Sequence, residues 1–147
     1  MKKVDQAQLR YQINQVRCQL DREHEKLARF RVDRDKLQYS LDRIKMMLAR
    51  FQENQSIRSK RLAKILQVKS AGIMTEQIYR DLQNEYFGSS SQMAELRIHD
   101  ARQEVEIKIN QTQERIVVTR HNIDQLEREL SRLRQQLAAQ IAADSAK

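Results

Sequence analysis

The sequence predicts an all-α fold: a long antiparallel two-helix coiled-coil hairpin with a short helical break near the tip. Three observations predict it. The 147 residues include no Pro and only two Gly, so little in the chain interrupts a helix. Apolar residues recur at alternating steps of four and three along two long stretches. Both glycines fall between those stretches, where the chain can reverse its direction.

The first helix is predicted over about residues 4–69. From Leu9 to Ile65 the alternating step holds over 17 positions, of which 13 are apolar. The polar positions are Glu23, Arg34, Gln55 and Arg58. A 3.5-residue repeat keeps a narrow stripe against a partner helix, whereas a helix in a globular bundle carries a wider apolar face. Met46 and Met47 flank this stripe and are expected to pack against it.

The tip segment, residues 70–91, carries the predicted break. Gly72 is expected to end the first helix in the left-handed conformation, and Thr75 to cap a short helix. Gly88 is expected to end that short helix, and the serines at 89–91 to cap the next one. Ile78, Leu82 and Tyr86 would then share one helix face, with Tyr79 alongside.

An apolar and aromatic cluster falls in this tip segment. Its members are Ile73, Met74, Ile78, Tyr79, Leu82, Tyr86 and Phe87. A two-helix coiled coil offers no third layer to bury them. They either fold back over the end of the hairpin or form a surface that a partner covers.

The second long helix is predicted over about residues 92–141, with 142–147 frayed and residues 1–147 forming a single coiled-coil domain. Its stripe runs from Ile98 to Leu137, with 9 of 12 positions apolar. Polar seam positions such as Gln55 are expected to set register and helix number. A turn near residue 80 would place Arg58 opposite Arg102, loosening the tip. The competing arrangement is a parallel dimer of one extended rod, which would act as a scaffold or tether.

The positive charge is concentrated in the first helix. Residues 1–69 hold 18 Lys and Arg against 8 Asp and Glu, a net charge of +10, whereas residues 70–147 hold 10 against 12, a net charge of −2. This asymmetry favours pairing within the chain. A run without acids carries five cations: Arg58, Lys60, Arg61, Lys64 and Lys69. They either offset the helix dipole or bind an acidic protein, with nucleic acid ranked second and lipid third.

No catalytic, cofactor or metal site is expected. His24, His99 and His121 are far apart, and the neighbours Glu23 and Glu25 point away from His24 on a helix. Cys18 has no second cysteine and is expected to face solvent as a reduced thiol. No phosphate-binding loop or nucleophile motif occurs, and no apolar run is long enough to span a membrane. The expected class is a non-enzymatic cytoplasmic protein.

The heptad helices on either side of a short break, in a basic chain of this size, resemble the stalk proteins of bacterial type III secretion. These are the YscO/FliJ-like proteins of the injectisome and flagellar export apparatus. Residues 74–82, with the sequence MTEQIYRDL, are similar to the short helix that some injectisome members place between their long helices. The family carries no catalytic motif.

The resemblance implies a coiled-coil stalk that couples a hexameric secretion ATPase to the cytoplasmic domain of the export gate. It also implies handling of substrate chaperones, in the cytoplasm or at the cytoplasmic face of the inner membrane. The helix ends at residues 4–20 and 126–141 would enter the ATPase ring, and the part of the tip cluster from Ile78 to Phe87 would meet the gate. The candidate partner-binding residues are Ile78, Tyr79, Leu82, Tyr86, Phe87, Arg58, Lys60, Arg61 and Lys64.

Overall fold

The computed structural model describes residues 5–67 and 72–146 and confirms the all-α helical hairpin. Three helices follow in chain order: α1 (Gln6–Leu66), α2 (Ile73–Phe87) and α3 (Ser89–Ser145). The parallel dimer of one extended rod is therefore not the architecture that the chain adopts. The predicted helix limits at residues 4 and 69, the cation Lys69 and the first two residues of the tip segment lie outside the described residues. None of the three helices is long and apolar enough to cross a membrane.

The predicted seam is confirmed residue by residue. All 17 positions from Leu9 to Ile65 and all 12 positions from Ile98 to Leu137 are buried or half-buried, including the polar ones. The apolar side chains are packed because a 3.5-residue repeat returns them to the same side of a helix. The periodicity alone thus identifies the buried face of both long helices.

The described residues fall into two compact units, each containing a part of α1 and a part of α3. Unit 1 comprises the chain up to Asp35 and from Asn110 onward. Its core combines one apolar cluster from both helices: Leu9, Ile13, Val16, Leu20, Leu27, Ile116, Ile123, Leu130 and Leu133. The Gln6 amide Nε2 donates to Asp144 Oδ2 at 2.6 Å, which fixes the two helix segments as antiparallel.

Unit 2 spans Lys36–Ile109 and contains α2. Its buried residues are Leu41, Leu48, Leu62 and Ile109. The Gln55 amide Nε2 donates to Ser91 Oγ at 2.6 Å, so α1 and α3 run antiparallel here as well. The midpoint of these two positions is residue 73, which places the reversal before the expected residue 80.

This register changes the predicted neighbours of two arginines in unit 2. The guanidinium of Arg58 lies over the ring of Tyr86, 5.0 Å from its centroid. Arg102 Nε pairs with Glu106 Oε1 at 3.0 Å, one helical turn further along α3. The expected juxtaposition of Arg58 and Arg102 is therefore wrong, because the earlier turn gives each cation a different partner.

The predicted helix boundaries at the break need three corrections. Gly72 has φ −98° and is not left-handed; it is the N-cap of α2 and accepts backbone hydrogen bonds from Thr75 and Glu76. Thr75 consequently lies inside the first turn and does not cap it. Gly88 ends α2 as predicted, but its carbonyl accepts from Gln92 N, so α3 starts at Ser89 without a serine cap.

One further expectation is wrong: Met46 and Met47 are 57% and 56% exposed and do not pack on the seam. Fraying of residues 142–147 stays a prediction; α3 extends to Ser145, and Asp144 accepts hydrogen bonds from Gln6 and Gln140. Cys18 is exposed, as predicted.

Candidate functional site

The candidate site at the tip lies in unit 2, where α2 brings its aromatic residues toward α1. Tyr79, Leu82, Tyr86 and Phe87 are half-buried, although no residue of α2 is fully buried. Ile78 lies one turn before Leu82 and is 50% exposed, so this part of the predicted face is left largely uncovered. The predicted cluster therefore divides into a packed side and an exposed side.

The packed side is organised around Tyr86. Its ring receives the Arg58 guanidinium and meets the ring of Phe87 edge-on, with centroids 6.5 Å apart. Its backbone carbonyl accepts a hydrogen bond from Gln55 Nε2 at 2.8 Å. Arg58 thus contributes a cation–π contact that attaches α2 to α1. This arginine is engaged in a contact within unit 2.

The exposed side combines apolar and cationic groups. Ile73 is 85% exposed and Met74 is 80% exposed, and Leu66 at the end of α1 is exposed as well. Lys60, Arg61 and Lys64 are also exposed, and Lys64 lies in the last turn of α1, where it offsets the helix dipole. Such side chains can bury apolar area and form charge pairs with an acidic protein surface.

Sequence reasoning missed the residue that organises the tip. Gln55 was recognised only as a polar seam position, yet its amide joins α1 to the end of α2 and the start of α3. Its position 31 residues before Tyr86 carried no local signal. The absence of charge at a half-buried seam position near the break was the one available indication.

The described residues offer little for chemistry. They contain no group of three or more His, Cys, Asp or Glu that could hold a metal ion. His99 Nε2 lies 3.8 Å from Glu95 Oε1, one turn earlier on α3, and the two residues form a local pair on the helix surface. The concavities on unit 1 are open surface grooves, one of them bordered by Lys26, Phe30 and Val118.

The ion pairs formed by the described residues are also local. Lys26 with Glu23, Lys108 with Glu104 and Arg132 with Glu129 each join residues three or four apart on one helix. The polar contacts between helices include the hydrogen bonds of Gln6 and Gln55 and the contact of Arg58 with Tyr86. The surplus cations of α1 therefore remain largely on its surface.

Comparison with known proteins adds no relative. No family model matches the chain, and no curated protein or solved structure matches it.

Proposed function

We propose that this chain is a non-enzymatic coiled-coil stalk of a bacterial type III secretion export apparatus, coupling a hexameric secretion ATPase to the export gate. The observation that carries the proposal is the distribution of features between the two units. Unit 1 holds both described ends of the chain in one antiparallel pair, whereas unit 2 holds the reversal and the exposed apolar tip. A linker between two assemblies needs two chemically different ends.

The ATPase-binding end is assigned to unit 1. Its helix segments up to Leu20 and from residues 126 to 141 form a slender pair that a ring lumen can accommodate. Arg10 and Arg17 are exposed on α1 and can meet carboxylates lining such a ring. The proposal needs no active site in this chain, because ATP turnover belongs to the ring.

The gate-binding end is assigned to unit 2. Ile73, Met74 and Ile78 expose apolar surface on α2, and Lys60 and Lys64 provide positive charge on α1. Apolar area with a cationic rim is typical of transient protein interfaces. Substrate chaperones are further candidate partners. The proposed location is the cytoplasm, at the cytoplasmic face of the inner membrane where the partners hold the chain.

Reciprocal variants test this assignment. The chain is mixed with candidate hexameric secretion ATPases, and complex formation and ATP turnover are measured. The variant Arg10→Glu with Arg17→Glu is expected to lose binding and stimulation, because charge reversal at the ring contact replaces attraction by repulsion. The variant Ile73→Ser with Met74→Ser is expected to retain both and to weaken binding to the isolated cytoplasmic domain of the gate.

Two results would contradict the proposal. One is the absence of both complex and stimulation with the ATPases of all systems tried. The other is equal loss of ATPase stimulation in the tip variant and the unit 1 variant, since this would remove the assignment of separate ends. Circular dichroism confirms that each variant remains helical before it is scored.

Nucleic-acid binding is the second candidate, favoured by the exposed cations Lys60, Arg61 and Lys64. Contacts to phosphates predict retardation of duplex DNA or RNA at low salt and a steep fall in affinity as salt rises. The variant Lys60→Glu with Lys64→Glu should then abolish retardation. A lack of retardation by the unmodified chain at low salt eliminates this candidate.

A further inference from the structure

The outer face of α1 in unit 2 exposes apolar residues where a two-helix coiled coil normally carries polar ones. Tyr39 is 65% exposed and Met46 57% exposed, seven residues apart and therefore on the same side of the helix. Ile57, eleven residues and about three turns past Met46, is exposed on this side as well. We call Tyr39, Met46 and Ile57 the outer strip; they lie on the helix surface opposite the seam residues Leu41 and Leu48, and the exposed Glu53 lies between Met46 and Ile57.

A row of cations borders the outer strip on one side. Lys36, Arg43 and Arg50 are all exposed and repeat every seven residues, which spaces them by about 10.5 Å along the helix. The guanidinium of Arg43 lies 5.8 Å from the ring centroid of Tyr39, so charge and aromatic surface are contiguous. The other border carries the exposed acid Asp42.

We propose that the outer strip and its cation row form the docking surface for an acidic amphipathic helix of a protein partner. Such a helix lays its apolar face on Tyr39, Met46 and Ile57, as helices do in grooves and coiled coils. Carboxylates spaced by seven residues on one edge of that helix then match the row of cations. The partner helix then packs as a third helix on the helical pair of unit 2.

Charge complementarity selects this occupant over the others. A second copy of α1 would bring a net positive surface against a positive surface. Nucleic acid would pair with the cations but would leave Tyr39, Met46 and Ile57 uncovered. A bilayer surface would place Asp42 and Glu53 against anionic headgroups. This inference rests on the exposed face of α1 alone and does not depend on the proposed coupling of an ATPase to a gate.

A designed peptide tests the surface chemistry directly on the full chain. The probe is a fluorescent peptide of about 28 residues, four heptads, with Leu at the two seam positions, Glu along the flank that meets the cation row and Gln along the other flank. The matched control peptide carries Lys in place of Glu. Fluorescence anisotropy at low and high salt is expected to show binding of the Glu peptide, weakened by salt, and no binding of the Lys peptide.

Three variants locate the binding. Arg43→Glu with Arg50→Glu is expected to weaken binding at least about tenfold, because two attractions become repulsions. Tyr39→Ser with Met46→Ser is expected to weaken it about tenfold through lost apolar contact. The control Arg120→Glu with Arg128→Glu makes the same charge change on the exposed surface of α3 and should alter affinity less than about twofold.

Several outcomes would overturn the inference. One is equal weakening by the α3 control, which would mean that net charge alone attracts the peptide. Another is failure of the Glu peptide to bind while duplex DNA or phosphatidylserine vesicles bind and lose binding in the Arg43→Glu, Arg50→Glu variant. A third is that the chain alone sediments as a dimer that this variant converts to monomer, because the strip would then be occupied by a second copy.

Discussion

The side-chain amide of Gln55 donates a hydrogen bond to the backbone carbonyl of Tyr86 at 2.8 Å. Tyr86 lies in the last turn of α2, where helix carbonyls have no partner within the helix. The same nitrogen of Gln55 donates to Ser91 Oγ in the first turn of α3. One uncharged seam residue therefore ties the two sides of the break at Gly88 to α1.

We expect Gln55→Glu to destabilise this junction. A carboxylate has no hydrogen to donate to the carbonyl of Tyr86. Gln55 Oε1 has no hydrogen-bond partner among the described residues, so a donor for the added oxygen is missing there as well. The expected loss in free energy of unfolding is about 2 kcal/mol, measured by urea denaturation. Amide hydrogen exchange should accelerate most in α2.

Gln52→Glu is the matched control for this substitution. Gln52 is exposed on α1 three residues earlier, so the same change in charge occurs there in solvent. Its effect on the free energy of unfolding should stay within about 0.5 kcal/mol. Equal destabilisation by the two variants would show that the hydrogen bonds of Gln55 do not hold the junction.

The two glycines are predicted to respond differently to Ala. A Cβ on Gly88 would overlap the backbone carbonyl of Asn84, so Gly88→Ala should lower the free energy of unfolding by about 2 kcal/mol. A Cβ on Gly72 meets open space, and φ −98° suits any residue. In Gly72→Ala the gain through the unfolded state is offset by the poorer fit of Ala at an N-cap, so stability should change by less than about 0.5 kcal/mol. Thermal unfolding of both variants checks this; a reversed order contradicts the assignment of Gly88 as the sterically required glycine.

The sequence was sufficient for the seam and insufficient for the tip. Residues such as Leu9, Leu48 and Leu133 repeat in a pattern whose period itself encodes which face is buried, so the core could be predicted. The pairing of Arg58 with Tyr86 depends on where the chain reverses, and a shift of a few residues in that turn changes every neighbour. No local pattern specifies that shift.

The candidate site shows the same limit. The aromatic composition of the tip was evident, but Ile78 and Tyr79 are adjacent in sequence and only their burial in the structure separates the exposed residue from the packed one. Met46 illustrates a pattern that was available: it follows Tyr39 by seven residues on the face opposite the seam. Apolar residues repeating there indicate a second contact surface.

Thr119 offers a stabilising substitution in unit 1. It is 4% exposed at a seam position, and its hydroxyl donates to the carbonyl of Arg115 at 2.7 Å on its own helix. In Thr119→Val a methyl group replaces the hydroxyl in the seam near Ile116 and Ile123. The Arg115 carbonyl keeps its backbone hydrogen bond within the helix. Thr119→Val should raise the free energy of unfolding by about 1 kcal/mol. Thr119→Ser, which keeps the hydroxyl and loses the methyl, should lower it by a similar amount.

The antiparallel pairing in unit 1 predicts a short distance between two exposed positions. Cys18 and a cysteine introduced as Arg128→Cys both accept spin labels without disturbing the core. Helix axes packed at about 8–10 Å, with the label arms added, predict a separation of about 30 Å. One straight helix through both sites would place them roughly 165 Å apart.

Double electron–electron resonance in an excess of unlabelled protein restricts the measurement to one molecule. The chain labelled at Cys18 alone should give no distance, because only a dimer would bring two such labels together. A doubly labelled sample that lacks any distance below about 60 Å contradicts the hairpin, and with it the two-ended stalk.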